Sequence, residues 1–114
     1  MHHEQLRDLC LSLKGATEDI KWGNDLCFLI GDKMFCTTWL GNGPFQASFK
    51  VKDEEFEELI ARPEIIPAAY LARYKWIHVK TANALSQKEW ELLVRQSYAL
   101  VKAGLTKKKQ QEIG

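Results

Sequence analysis

Cysteine is scarce and unpatterned in this chain. Cys10, Cys27 and Cys36 form no Cys-x-x-Cys pair, and no histidine lies at zinc-ligand spacing from any of them. A zinc-finger scaffold and a disulfide-stapled secreted fold are therefore excluded, and free thiols in a reducing cytoplasm are expected. Histidine is equally sparse: beyond the N-terminal pair His2-His3, only His78 is present. There is no Gly-x-Ser-x-Gly nucleophile elbow and no glycine-rich phosphate cradle. Gly41-Asn42-Gly43-Pro44 imitates such a cradle only superficially, because Pro44 and the strand patterns on both sides make it a turn. No apolar run approaches the roughly 20 residues of a membrane-spanning helix. No basic-then-apolar leader opens the chain. These absences lead to the expectation of a cytoplasmic domain with no membrane association, no cofactor, no metal and no enzymatic activity.

What is present suffices for one core. The chain has 114 residues, 46% of them hydrophobic, and its 5 Phe, 4 Trp and 3 Tyr give ample apolar bulk for a single domain over residues 1–114. Leu6, Leu9, Cys10 and Leu13 recur at helical spacing, which predicts a first helix from about residue 3 to 14 ended by Gly15. Residues 25–51 read as strands. Leu26–Ile30 is a short apolar run, Gly31-Asp32 a two-residue turn of type II′, and Lys33–Leu40 the returning strand. Phe45, Ala47, Phe49 and Val51 alternate with Gln46, Ser48, Lys50 and Lys52, so that strand has one covered face and one wet face. Asp53 is placed to cap a second helix whose inner stripe is Phe56, Leu59 and Ile60, and Pro63 and Pro67 close it into an irregular connection. A strand over Trp76–Lys80 follows. Ser86-Gln87-Lys88-Glu89 is a capping box opening a long helix, which Gly104 ends with Leu105 folded back on Leu100. Residues 106–114 form a polar, basic tail.

Three segments carry a family resemblance. They are Ile65–Val79 (Ile-Ile-Pro-Ala-Ala-Tyr-Leu-Ala-Arg-Tyr-Lys-Trp-Ile-His-Val), Ser97-Tyr98-Ala99-Leu100-Val101, and the hairpin Gly31-Asp32-Lys33-Met34-Phe35. Together they resemble the MmcQ/YjbR family of small domains. The resemblance implies DNA binding through a double-wing arrangement of strands. It also implies an architecture similar to frataxin-like (CyaY-like) and secretion-chaperone-like folds. The element order gives the same fold class independently. Short turns between consecutive strands make an antiparallel sheet, and three amphipathic helices need one surface to cover. The expected fold is α+β, a two-layer sandwich in α-β(n)-α-β-α order with the helices on one face.

Charge is uneven along the chain. Residues 1–72 carry 7 Lys/Arg against 12 Asp/Glu, whereas residues 73–114 carry 9 against 3. If the alternation holds, the uncovered face presents Lys50, Lys52, Trp76, His78 and Lys80, and Arg73 enlarges the basic supply beside them; ammonium groups there neutralise phosphates and rings stack on bases. These are the candidate DNA contacts; solvation of opposite surfaces explains the same charges without a ligand. The alternative partner is a protein, or a second copy, docking on that open face. Two further features have more than one explanation. A turn centred on Gly31-Asp32 sets Cys27 opposite Cys36, close enough to consider a redox switch beside the blander option of two reduced core thiols. Asp53, Glu54, Glu55, Glu57 and Glu58 supply carboxylates, but on a helix they point around more than one side and suit its start better than a metal.

Overall fold

A computed structural model describes all 114 residues. The sheet has six antiparallel strands in the order β1-β2-β3-β4-β6-β5. These are β1 Thr17–Lys21, β2 Asp25–Ile30, β3 Lys33–Trp39, β4 Ala47–Lys50, β5 Ile65–Pro67 and β6 Trp76–Val79. The helices are α1 His3–Leu11, α2 Asp53–Ile60, α3 Gln87–Ala103 and α4 Lys107–Ile113. Helix α3 lies against β2, β3 and β4, α2 against β5 and β6, and α1 on α3. The α+β sandwich expected from the element order is the fold observed.

Alternation places the core. Leu26, Phe28 and Ile30 of β2, Phe49 of β4, and Ile77 and Val79 of β6 meet Leu6, Cys10, Trp90 and Val94, all of them buried. Each fully buried side chain of this size contributes about 1.5–3 kcal/mol relative to exposure. Ser97 is the polar rivet of this layer: its hydroxyl donates to Phe35 O and accepts the Lys50 N–H at 3.0 Å, tying α3 to β3 and β4. The capping box at Ser86 forms as expected, with Glu89 N–H donating to Ser86 Oγ at 3.1 Å and Ser86 N–H to Glu89 Oε1 at 3.0 Å.

Several expectations are corrected. Helix α1 stops at Leu11, and a turn carries the chain to Gly15, whose φ is +76°. Strand β1 has no signal in the sequence, because it is largely exposed and has no apolar period. The connection after α2 contains β5, an edge strand, where Pro67 is tolerated because an edge leaves one row of amides unpaired. Lys52, not Asp53, is the N-cap of α2. At the β2–β3 turn Gly31 and Asp32 have φ of +55° and +67°, which makes the turn type I′. A Cβ on Gly31 would sit 2.6 Å from Leu105 Cδ1, so glycine is needed there for space as well as for φ. Gly104 is right-handed at φ −82°, so Leu105 packs against that turn rather than closing a left-handed cap. The tail continues into α4, capped by Thr106 and fixed to the turn through Lys109, which donates to Gly31 O at 3.2 Å and Asp32 Oδ2 at 3.1 Å.

The opposed cysteines are also corrected. A β-bulge makes Phe28 pair with Cys36 and Leu29 with Met34, leaving Phe35 as the extra residue. Cys27 therefore pairs with Thr37, and Cys36 turns into the core beside Cys10. Hydrogen bonding to Cys10, together with burial, pushes the Cys36 thiol well above its ordinary value.

Candidate functional site

The strand residues that face away from the helices form a row across the sheet. Its ladder partners are Asp19–Cys27–Thr37–Ser48–His78–Ile66, one from each strand. Thr37, Ser48, His78 and Ile66 form the floor of a cleft of about 740 Å³ on this open face. Its walls include Met34, Asp25 and the connection Pro67–Leu71, and exposed aromatics stand at two corners. Trp22, in the β1–β2 turn, is 74% exposed, and Tyr70, after β5, is 98% exposed. Both have left-handed backbones, with φ of 52° and 66°. Bulky side chains rarely adopt that region, because Cβ crowds the following carbonyl oxygen.

At the centre lies a three-residue hydrogen-bond chain. Ser48 Oγ is 2.7 Å from His78 Nδ1, and His78 Nε2 is 2.8 Å from Gln46 Oε1. With the ring neutral, one arrangement satisfies every atom: Nε2–H donates to the amide oxygen, and Nδ1 accepts the serine proton. Burial, then repulsion from Lys80, lowers the His78 pKa and favours that neutral form. The arrangement has the outline of a hydrolase dyad but lacks two of its parts. The group orienting the imidazole is an uncharged amide, which stabilises an imidazolium less than a carboxylate would. Ser48 also sits mid-strand between β3 and β6, where ladder pairing engages the backbone amides that an oxyanion hole would need free.

The six candidate contacts named from the sequence, Lys50, Lys52, Arg73, Trp76, His78 and Lys80, do not gather at one place. Of these, His78 alone lines the cleft. Trp76 has the expected outward parity as the partner of Lys50, yet it is only 5% exposed. The segment from Ala68 to Lys75 folds over it, with Ala68 N–H donating to Trp76 O at 3.1 Å and Trp76 N–H to Leu71 O at 3.3 Å. It offers no free ring face for a base. The Lys50 ammonium donates to Tyr74 O, the Arg73 guanidinium lies 4.8 Å from the Tyr74 ring centroid, and Lys52 is the backbone N-cap of α2, its N–H donating to Glu55 Oε1 at 3.2 Å. These three cluster beside Lys75 where β4 leaves the sheet, since Val51 N–H donates to Lys75 O at 2.9 Å. Lys80 is exposed at the opposite end of β6. No Lys or Arg lines the cleft, so at the centre of the open face the expected basic surface is corrected to a neutral floor with one carboxylate, Asp25, at its wall.

Trp22, Asp25, Thr37 and Tyr70 are residues of the cleft that the sequence does not single out. Tyr70 falls in the Ile65–Val79 segment that carries the resemblance, but nothing local marks any of the four as a contact, because the sheet brings them together from separate turns and strands.

The YjbR family matches residues 11–100, most of the chain. The chain belongs to the YjbR family. This YjbR domain is similar to the crystal structure of Deinococcus radiodurans protein DR2400, described as a DUF419 domain, with 31% identity and a TM-score of 0.86 over 97% of this chain and 86% of that one. It also shares its fold with a structural-genomics protein from Pseudomonas syringae, at 24% identity and a TM-score of 0.72 over 88% of this chain and 98% of that one. No curated protein matches the sequence. No helix of the YjbR domain is long and apolar enough to cross a membrane.

Proposed function

We propose that this YjbR domain is a non-enzymatic interaction module whose open sheet face binds an extended peptide segment of a partner protein. The observation that carries the reading is the cleft with Trp22 and Tyr70 held out at its corners. Exposed aromatic side chains, with only two χ angles to fix, supply contact area at low entropic cost, which is how interface anchors work. The hydroxyls of Thr37 and Ser48 on the floor add hydrogen-bonding groups to a mostly apolar lining, the usual composition of a recognition surface. Strained bulky residues at exposed corners do nothing for packing, and strain of this kind collects at binding sites.

Residue-resolved NMR titration of the labelled domain with a pool of short peptides tests this. Shifts are expected at Trp22, Thr37, Ser48, His78 and Tyr70. Shifts confined to the helix layer, or none at millimolar peptide, would overturn the reading.

Duplex DNA binding, which the family resemblance implies, is the second reading. The clustering of Lys50, Lys52, Arg73 and Lys75 beside the Tyr74 turn favours it. Affinity for a duplex should then fall steeply with salt, because each neutralised phosphate releases counterion. Lys50→Glu with Lys52→Glu should weaken it by at least tenfold in a fluorescence anisotropy titration at low ionic strength.

A further inference from the structure

Resting on the peptide reading above, we infer that the open-face cleft selects a partner segment carrying a lysine or arginine side chain, seated against Asp25 beside Trp22. Asp25 is the one charged residue among those lining the cleft, and it is half-buried there. The three ion pairs of the molecule, Arg7–Glu18, Arg62–Glu89 and Lys109–Asp32, all lie elsewhere, so its carboxylate is unpaired. Lys21 is its ladder partner on β1 but makes no ion pair with it. Exposed Asp19, two rows further along β1 and on the same face, keeps the local balance negative.

A cation entering here meets two kinds of attraction. One is the Asp25 carboxylate. The other is the electron-rich face of an indole, the best aromatic partner for ammonium or guanidinium groups. The apolar lining lets the methylene stem of a long basic side chain lie along the wall while its head reaches the carboxylate. A phosphate or an acidic side chain would find no cation in the lining and would be repelled by Asp25, which is why the cleft does not suit a nucleic-acid backbone.

Length argues for a peptide rather than a free amine. The lining runs from β2 across β3, β4 and β6 to β5, four inter-strand steps of about 4.8 Å, or roughly 19 Å. That matches about six residues of extended chain at ~3.3 Å each. A lone amine would fill one corner only.

The test is a matched set of capped hexapeptides differing at one central position, titrated against the wild-type domain by tryptophan fluorescence with NMR mapping. Lysine and arginine versions should bind about tenfold tighter than norleucine or glutamine versions, with the glutamate version weakest. The preference should shrink as salt is raised. Asp25→Asn, checked for folding by circular dichroism, should erase the preference while the norleucine peptide keeps its affinity. Equal affinity of lysine and norleucine peptides, with shifts still in the cleft, would overturn the basic-residue selectivity and leave the peptide reading standing. n-Butylamine binding as tightly as the lysine hexapeptide would overturn the peptide source. No cleft shifts with any hexapeptide would overturn both this inference and the reading beneath it.

Discussion

Thr38, Ala47, Val79 and Ile65 form one ladder row of the sheet, and their immediate neighbours Thr37, Ser48, His78 and Ile66 form the next, on the opposite flank. The first four are at most 1% exposed, whereas the second four are all partly or largely exposed. The same four strands therefore build a dry, close-packed face and an open face of hydroxyls, an imidazole and an isoleucine. The backbone is common to both, so the difference comes from alternation and from where the helices lie. On the helix side every side chain is fixed by neighbours. On the open side the side chains satisfy one another, as Ser48, His78 and Gln46 do, and leave room above them. Stability belongs to the first face, and recognition is available to the second.

The contrast is sharpest at Trp90. Its ring is fully buried, its Nε1–H donates to Ala82 O at 2.8 Å, and it packs edge-on to Phe45 and Phe49. Trp90→Ala should cost about 3–5 kcal/mol in urea denaturation through cavity formation and a lost donor. A cost below about 1 kcal/mol would break the assignment of stability to this face. Ser97→Ala comes next. Removing the hydroxyl leaves the Lys50 N–H and Phe35 O short of a partner inside the core, at about 1–3 kcal/mol. Ser48→Ala, the same substitution on the open face, should fall within about 0.5 kcal/mol of wild type.

Much of the helix-covered face was legible in the sequence, because local rules dictate it. The box at Ser86, the alternation through Phe45–Val51 and the glycine of the hairpin each act within a few residues. What escaped depends on contacts between distant segments. The bulge at Phe35 goes with packing of that ring edge-on to Tyr98 on α3, centroids 5.5 Å apart, and it moves Cys36 to the inner face. The burial of Trp76 depends on residues 68–75 folding over it. Pairing of Ser48 with His78 depends on the register of β4 with β6, strands separated in sequence by α2 and β5. The cleft is harder still to foresee, since Trp22, Asp25 and Tyr70 become neighbours only when the sheet exists. Sequence parity found the open flank correctly. It could not find the charge of the cleft, because Lys50 is drawn to Tyr74, Lys52 stands at the backbone entry to α2, and Lys80 lies exposed at the far end of β6.

A smaller effect separates the faces by pH. Burial depresses the His78 pKa below its unfolded value of about 6.5. Between the folded and unfolded pKa the unfolded chain binds more protons, so stability rises with pH across that window. The contribution is complete above the unfolded pKa and is lost as pH falls through the folded one. Protonation puts a hydrogen on Nδ1, which then no longer accepts from Ser48. Denaturation between about pH 5 and 7.5 should show this slope, and His78→Gln should flatten it. An unchanged slope in the variant would assign the proton linkage to another group.

The last effect has a sign opposite to the others. Trp22 and Tyr70 lie in left-handed backbone and are largely exposed, so their side chains gain little from packing and incur the strain of φ above zero. Left-handed geometry costs an ordinary residue about 1–2 kcal/mol, and asparagine tolerates it far better. Trp22→Asn and Tyr70→Asn should therefore leave the fold unchanged or stabilise it, by up to about 1 kcal/mol each in urea midpoints. The same variants should lose peptide-induced shifts in the cleft. Substitutions that strengthen a fold while weakening its recognition mark residues held for binding rather than stability. If both variants instead destabilised the domain by more than about 1 kcal/mol, the aromatics would be structural, and the division of labour between the two faces would fail at the corners of the open one.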